Sequence, residues 1–238
     1  MANNTNNKFK CIMTDNRSIY SLSSIVSLGL IILTGCAESN IPLLEIEVND
    51  GSFVAYGVID RSAISTFEMA TKDNPAIKTL VLQWVPGSID DTANLELARM
   101  VRDMGFTTVV PEDGLVSSGG TDLFLAGVQR DIQQGACLGV HSWGDGDSLD
   151  GRDFPRDADV HQPYLDYYSD MGIPQDFYWF TLEKAPVDGM HWMLPSEIQQ
   201  YMLETSDAQG ETLSEMNEEI CGKRDEQAWL KRSNSSGN

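Results

Sequence analysis

Nearly continuous apolar runs alternate with segments whose apolar positions recur at helical spacing through the middle of the chain. The apolar runs cover residues 52–60, 77–85, 106–110 and 136–140, as expected of strands buried on both faces. Helical spacing covers residues 62–73, 118–130 and a segment that starts at Asp90 or Asp91 and stops at Gly105. This alternation predicts an α/β fold with a parallel sheet and right-handed crossovers.

The pattern changes after His141. Residues 144–159 are rich in Gly and Asp and predict a loop or lid, and helices are predicted at residues 162–171, 175–183 and 195–203. We therefore place one folded domain at residues 51–204, preceded by a tether at residues 36–50. Residues 205–238 are acidic and polar, with too few apolar side chains to offset the entropy of ordering, and predict a mobile tail.

Residues 1–35 predict an export signal rather than part of the fold. The apolar stretch at residues 19–33 has about 15 residues, whereas a bilayer span needs roughly 20. It closes on Leu33-Thr34-Gly35-Cys36, which resembles the lipobox of bacterial lipoproteins. The resemblance implies cleavage before Cys36, lipidation of Cys36 and a periplasmic protein anchored in the cell envelope, with Ala37 typical of outer-membrane sorting. An ordinary signal peptide or an uncleaved anchor is the alternative.

Acidic residues dominate the charge of the chain. The sequence has 36 Asp and Glu residues against 16 Lys and Arg, a formal net charge of −20. Nucleic acids and anionic membrane surfaces attract basic patches, so neither is an expected binding partner. We expect the acidic surface to serve mainly the solubility of an exported protein.

Two cysteines would remain for the folded domain after export. They are Cys137 and Cys221, since Cys11 lies in the signal and Cys36 would carry the lipid. An oxidising periplasm allows Cys137 and Cys221 to pair. Cys137, however, lies in an apolar run where a buried free thiol is also common, so the sequence leaves the pairing open.

Three pieces that acyl-transfer chemistry requires fall at one edge of the predicted sheet. A strand ends in Pro86-Gly87-Ser88 and leads into a helix, where backbone N–H groups and the helix dipole favour negative charge. Ser118 stands at the start of the next helix, and His141 follows the next strand. Ligands of open α/β sheets bind at this carboxyl edge. The pattern predicts a hydroxyl, an imidazole and amide donors around one pocket.

These pieces resemble serine peptidases of the Clp protease proteolytic subunit and signal peptide peptidase type. The matching residues are Gly114-Leu-Val-Ser-Ser118-Gly-Gly120 and Ala126-Gly127, with the strand that ends at Pro86 before them and the strand that ends at His141 after them. The resemblance implies a ClpP/crotonase-like parallel sheet built from β-β-α type repeats, with C-terminal helices. It implies Ser118 as the nucleophile, His141 as the base, and oxyanion donors at Gly87, Ser88 and Gly119.

The same resemblance implies a peptide or other acyl substrate, no cofactor, no metal, and assembly into a homo-oligomer. Trp192-Met-Leu-Pro-Ser-Glu197 resembles the helix start that follows the catalytic Asp in Clp-type enzymes, which makes Asp188 the candidate for that acid. Glu183 and Asp166 are the next candidates, and Lys184 is the candidate for a lysine base. The turn reads Pro-Gly-Ser rather than Pro-Gly-Gly, and Ser117 is an alternative nucleophile.

The sequence therefore predicts a cell-envelope serine hydrolase, by preference a peptidase. The altered turn and the uncertain acid favour a non-catalytic lipoprotein of the same fold as the alternative. An acyl-thioester enzyme of the crotonase type also needs an oxyanion hole, although coenzyme A is cytoplasmic. Ser118 as a helix cap, His141 as a core residue, Gly119 and Gly120 as packing glycines, and a zinc site formed by His141, His161 and His191 stay open. The aromatic residues 164–180 are expected in the core or at a subunit contact rather than in a cleft wall.

Overall fold

The computed structural model describes residues 41–144, 149–205 and 218–235. The predicted signal at residues 1–35, the lipidation site Cys36, the start of the tether and the first part of the predicted tail lie outside these ranges. Within them the helices lack the length and apolar character that crossing a bilayer requires.

The described residues form an open sheet of eight strands. The strands are β1 (Glu45–Asn49), β2 (Ser52–Tyr56), β3 (Thr79–Val85), β4 (Thr107–Val110), β5 (Leu115–Ser117), β6 (Gln129–Ile132), β7 (Cys137–Val140) and β8 (His191–Trp192). All pairings among β2 to β7 are parallel, while β1 pairs with β2 and β8 pairs with β7 in antiparallel fashion. The predicted α/β class with a mostly parallel sheet is confirmed.

The sheet divides along β3. The first part of this strand, Thr79 to Val81, pairs with β4, whereas Trp84 and Val85 pair with β5. β5 in turn pairs with β7, with Ser117 opposite Gly139. The carboxyl ends of β3, β5 and β7 therefore lie side by side, and the three segments that carry the predicted chemistry leave the sheet together.

Seven helices accompany the sheet in the described ranges. They are α1 (Ser62–Asp73), α2 (Asp91–Asp103), α3 (Gly119–Leu125), α4 (Gln162–Asp170), α5 (Gln175–Lys184), α6 (Pro195–Gln200) and α7 (Glu218–Ser235). α1 has the predicted bounds, and the Asp60 carboxylate before it accepts from the Ser62 amide at 3.0 Å. At α2 the Asp90 carboxylate caps the amide of Ala93 at 2.8 Å.

The prediction of a helix at residues 118–130 is wrong for the second half of this segment. α3 ends at Leu125, and Gln129–Ile132 forms β6 against β4. Gly127 explains the break, because a Cβ there would lie 2.1 Å from Thr108 Oγ1 and the chain must pass close to β4. Arg130 is buried in β6 and donates to the carbonyl of Leu203 at 2.6 Å. This strand was not predicted because an arginine followed by an aspartate interrupts its apolar pattern.

Three further strands were not predicted, among them β8, which has only two residues. β1 was assigned to the tether because most of its side chains are exposed and two of them are glutamates, as on an edge strand. β5 has only three residues, too few for a periodic signal. In the predicted lid, Gly151–Asp153 and Asp159–His161 form short 3₁₀ turns, and residues 145–148 lie outside the description.

The mobile tail predicted from residue 205 is wrong for Glu218–Ser235, which is helix α7. A disulfide joins Cys221 of this helix to Cys137 of β7, which answers the question that the sequence left open. Arg224 donates to the carbonyls of Gly114 and Gly135, each at 2.9 Å, and Trp229 packs edge-on against Trp84. A covalent link and polar contacts order a segment whose own apolar content is low.

Candidate active site

The turn between β3 and α2 lies directly against Ser118. Two backbone hydrogen bonds join the turn to Ile59. The Ile59 amide donates to the Gly87 carbonyl at 2.9 Å, and the Ile59 carbonyl accepts from the Ile89 amide at 2.9 Å. Gly87 has φ +148°, and a Cβ built on it would come within 3.2 Å of Ser118 Cβ and 3.5 Å of Ser118 Oγ. Only a residue without a side chain leaves this space beside the hydroxyl.

Ser118 connects β5 to α3 in a conformation that serine rarely adopts. Its φ is +51° and its ψ is −129°, outside the regions favoured by L-residues. Its side chain caps no amide of α3 among the described contacts, although its carbonyl accepts from the Thr121 amide at 2.9 Å. The contacts therefore do not support the interpretation that the Ser118 side chain caps the helix. A strained strand-to-helix turn that leaves its hydroxyl uncommitted is the geometry of a nucleophile elbow.

Ser117, the alternative nucleophile, is committed to structure. It is 1% exposed, and its hydroxyl donates to the carbonyl of Pro86 at 2.9 Å. This bond fastens β5 to the turn after β3, so Ser117 helps to place Gly87 beside Ser118.

Three amides close to Ser118 in the chain or in space have no protein acceptor among the described residues. The hydrogen bonds described within residues 41–144, 149–205 and 218–235 give the N–H groups of Gly87, Ser88 and Gly119 no protein acceptor. Gly119 and Ser88 are in close contact, since a Cβ on Gly119 would lie 2.5 Å from Ser88 Oγ. Gly120 packs equally tightly, with Val85 O 1.9 Å from a Cβ built on it, so both glycines also serve packing. Uncommitted amides beside a hydroxyl are what an oxyanion hole requires.

His141 follows β7 and lines the same pocket as Ser118 and Gly119. Desolvation lowers the pKa of its imidazole, against the opposing effects of hydrogen bonding to the Val187 and Pro186 backbone and of the Asp91 and Asp150 charges. The ring is therefore neutral at neutral pH, as a general base must be. Its Nδ1 atom is buried without a partner, and no hydrogen bond joins the ring to the Ser118 hydroxyl, among the described residues.

Asp188 is not brought to this pocket. Its side chain is exposed, and its charge acts on Arg152. The loop that carries it approaches His141 with the backbone of Pro186 and Val187 instead. The expected bond between Asp188 and His141 has no counterpart in the described contacts.

The other candidates for the third residue also lie elsewhere. Glu183 is exposed and pairs with Arg156, and Asp166 accepts from Gln162. Lys184 pairs with Glu197 at 2.9 Å.

Two carboxylates that the sequence analysis missed do line the pocket. Asp91, the first residue of α2, accepts from the hydroxyls of Ser88 and Tyr164, both at 2.6 Å. Asp122 accepts from the Tyr168 hydroxyl at 2.6 Å. Burial, followed by the charge of Asp91, raises the pKa of Asp122 to about 7, although the Tyr168 bond acts in the opposite direction. One signal was available: Asp122 is a charged residue in an otherwise apolar helix, four positions after Ser118.

Aromatic rings form one wall of the pocket, whose volume is about 430 Å³ with its open mouth. Trp143 stacks on Tyr164 and Tyr164 stacks on Tyr178, with centroids 5.6 Å apart in both pairs. Phe154 covers the other face of this stack against Trp143, at 5.7 Å. The aromatic segment thus contributes to a cleft wall, while other members of it, such as Phe177, are core residues as expected.

The three histidines occupy separate environments. His161 is buried, with Nδ1 2.6 Å from the Tyr178 hydroxyl, and His191 Nε2 lies 2.7 Å from a Glu197 carboxylate oxygen. Across the described parts of the chain, no three His, Cys, Asp or Glu side chains are placed to share a metal ion. The zinc interpretation therefore receives no support from their placement.

No protein-family model matches the chain, and no curated protein matches it in sequence. Similar solved structures include the 1510-N membrane-bound stomatin-specific protease as an alanine variant, 13% identical with a TM-score of 0.45, covering 64% of this chain and 75% of that one. Another alanine variant of that protease, in complex with a substrate peptide, is 13% identical with a TM-score of 0.41 and coverages of 60% and 66%. An enoyl-CoA hydratase from Shewanella pealeana is 13% identical, with a TM-score of 0.42 and coverages of 81% and 79%. At this level of similarity the likenesses carry no inference about activity, which depends on the chain's own site.

Proposed function

We propose that this protein is a serine hydrolase in which Ser118 attacks an acyl carbonyl, and that its substrates are peptides or related acyl compounds. The observation that supports this most is the strained Ser118 at φ +51°, with Gly87 against its hydroxyl and a half-buried His141 on the same pocket. Strain of this kind persists where surrounding structure holds a residue in a working position.

In the proposed reaction, His141 takes the hydroxyl proton as Ser118 Oγ bonds to the acyl carbon. The carbonyl oxygen becomes an oxyanion, and the amides of Gly87, Ser88 and Gly119 donate to it. Collapse of this intermediate breaks the bond to the leaving group, which takes the proton from His141. Water, activated by His141, then hydrolyses the acyl-enzyme and restores Ser118. The hydrogen bond between Ser118 and His141 forms when substrate closes the pocket, since such bonds are often long in unliganded enzymes.

Backbone groups rather than a carboxylate would orient His141 in this mechanism. The backbone of Val187 and Pro186 lies beside the ring and raises its pKa, and the Asp91 and Asp150 charges favour the imidazolium electrostatically. We therefore propose that no single acid has the role expected of Asp188.

We further propose that the protein is exported and anchored in the cell envelope through Cys36. The disulfide between Cys137 and Cys221 supports an oxidising compartment, since such bonds are rare in the cytosol. The lipobox-like Leu33-Thr34-Gly35-Cys36 supports the anchor.

Activity-based labelling tests the proposal. A fluorophosphonate probe should label the wild-type protein and the Ser65→Ala control, which changes an exposed serine of α1, and should not label Ser118→Ala. Circular dichroism should show that Ser118→Ala is folded. Labelling of Ser118→Ala to the same extent as the wild type would exclude Ser118 as the nucleophile. Absence of labelling in the wild type would favour a non-catalytic binding lipoprotein.

A second candidate function is the acyl-thioester chemistry of a crotonase-type enzyme. The observation that favours it is the Asp122 carboxyl, whose pKa of about 7 lets it exchange a proton beside the uncommitted amides. Hydration of an unsaturated thioester that persists in Ser118→Ala and is lost in Asp122→Asn would support this candidate over hydrolysis by Ser118.

A further inference from the structure

The proposed active-site pocket contains negative charge and no side-chain cation among the described residues. Asp91 and Asp122 both line it, whereas the described lining includes no Lys or Arg. Nor do these two carboxylates pair with Lys or Arg elsewhere in the described chain, whose ion pairs use other acids. Asp122 is desolvated by burial, and buried carboxylates are usually paired with a cation. Asp91 is exposed but lines the same pocket, so a ligand can supply the cation that the two acids lack.

The hydrogen bonds of the two carboxylates leave acceptor capacity for a ligand. An ionised carboxylate has about four acceptor sites. Asp91 uses two of its acceptor sites, for Ser88 and Tyr164, and Asp122 uses one, for Tyr168. All these donors are neutral hydroxyls, which orient the carboxylates without cancelling their charge.

The electrostatics within the pocket also favour a cationic ligand. The charge of Asp91 contributes to the raised pKa of Asp122, after burial as the larger cause. The titratable groups that face this pair are Tyr164, Tyr167 and Tyr168 from α4, Tyr178 from α5, and His141 after β7. None of them carries a positive charge at neutral pH, so a ligand cation would relieve the repulsion between the two acids.

This inference rests on the proposed function and names its substrate class. We propose that the pocket accepts an ammonium or guanidinium group, so that the enzyme prefers acyl substrates with a lysine-like or arginine-like side chain near the scissile carbonyl. The stacked wall of Trp143, Tyr164 and Tyr178 supplies apolar contact for the aliphatic part of such a side chain. The net charge of −20 adds long-range attraction for cationic substrates.

A matched pair of ester substrates tests the preference. One carries lysine and the other norleucine, which has a side chain of the same carbon number without the charge. The ratio of kcat/KM for lysine over norleucine should be about tenfold or more in the wild type, and should fall several-fold in Asp122→Asn. Glu68→Gln is the control, because it removes one negative charge from an exposed position on α1, and its ratio should equal that of the wild type. A wild-type ratio near one, or a ratio that Asp122→Asn leaves unchanged, overturns the proposal.

Binding of a simple cation separates this inference from the hydrolase proposal. n-Pentylammonium and n-pentanol are titrated against the wild-type protein at about pH 8, where Asp122 is ionised, with intrinsic tryptophan fluorescence as the readout. The ammonium should bind about tenfold more tightly than the alcohol, with weaker binding below the pKa of Asp122. Equal affinities together with fluorophosphonate labelling of Ser118 would overturn the cation site alone. Selective ammonium binding without labelling would contradict the hydrolase instead.

Discussion

The proposed chemistry depends on the close approach of Gly87 to Ser118. Gly87 has φ +148°, and the space its missing side chain leaves is within 3.5 Å of the Ser118 hydroxyl. The same residue also presents an uncommitted amide. A change at this single position therefore affects the conformation of the turn, the room for substrate and the oxyanion donors together.

Gly87→Ala should lower the rate of fluorophosphonate labelling by about a hundredfold, because the added Cβ displaces the turn and moves its amide away from the oxyanion, which has the effect of losing one donor. Gly51→Ala is a matched control, because Gly51 also has a positive φ, of +75°, but nothing lies within 4 Å of a Cβ placed there. It should cost stability through backbone strain and leave the labelling rate unchanged. Unchanged labelling in Gly87→Ala would contradict the assignment of the turn.

The pH profile of labelling should report the neutral imidazole of His141. Its pKa is lowered from 6.5 by desolvation, so the protein loses its base only as the pH falls through a value below 6.5. The labelling rate should be constant above about pH 7 and decline on acidification beneath that value. The same profile should be recorded for Asp122→Asn, because this substitution removes a carboxyl with a pKa of about 7. An acid limb centred above 6.5 in that variant would argue against His141 as the base.

At the scale of elements, periodicity predicted the long and apolar segments best. β3 and α1 were anticipated because they are continuous and regular, whereas β5 is too short for any period. β6 and α7 were missed because long-range contacts order them: Arg130 binds the carbonyls of Leu203 and Met202, and Cys221 is tied to β7. Propensity and periodicity are local, and such tertiary contacts override them.

The disulfide should be the main support of helix α7. It links residues separated by 84 positions, so replacing both partners in Cys137→Ser/Cys221→Ser should cost about 2–4 kcal/mol of unfolding free energy. Denaturant unfolding measures the loss, and limited proteolysis should cut residues 218–235 faster in the variant. The wild type treated with reductant provides the comparison. A variant with wild-type stability and proteolysis would show that Arg224 and Trp229 suffice to dock the helix.

At the scale of the whole molecule, the parallel order of the strands explains which parts of the site could be predicted. Gly87 and His141 follow predicted strands and Ser118 starts the predicted helix between them, so the sequence pattern places all three at one edge although β5 itself was not predicted. Asp91, Asp122 and the tyrosines meet there only because α2, α3 and α4 pack together, which no local pattern encodes. Asp188 was misplaced because the loop before it presents its backbone, and not its carboxylate, to His141.

A crystal structure of the fluorophosphonate-treated protein tests the central claim most directly, since it locates both the nucleophile and the oxyanion donors. The account predicts a phosphonyl group bonded to Ser118 Oγ, with its oxygen about 2.7–3.1 Å from the amides of Gly87, Ser88 or Gly119, and with His141 in hydrogen-bond reach of the adduct. An adduct on another residue, or an oxygen on Ser118 that faces solvent away from those amides, would contradict it.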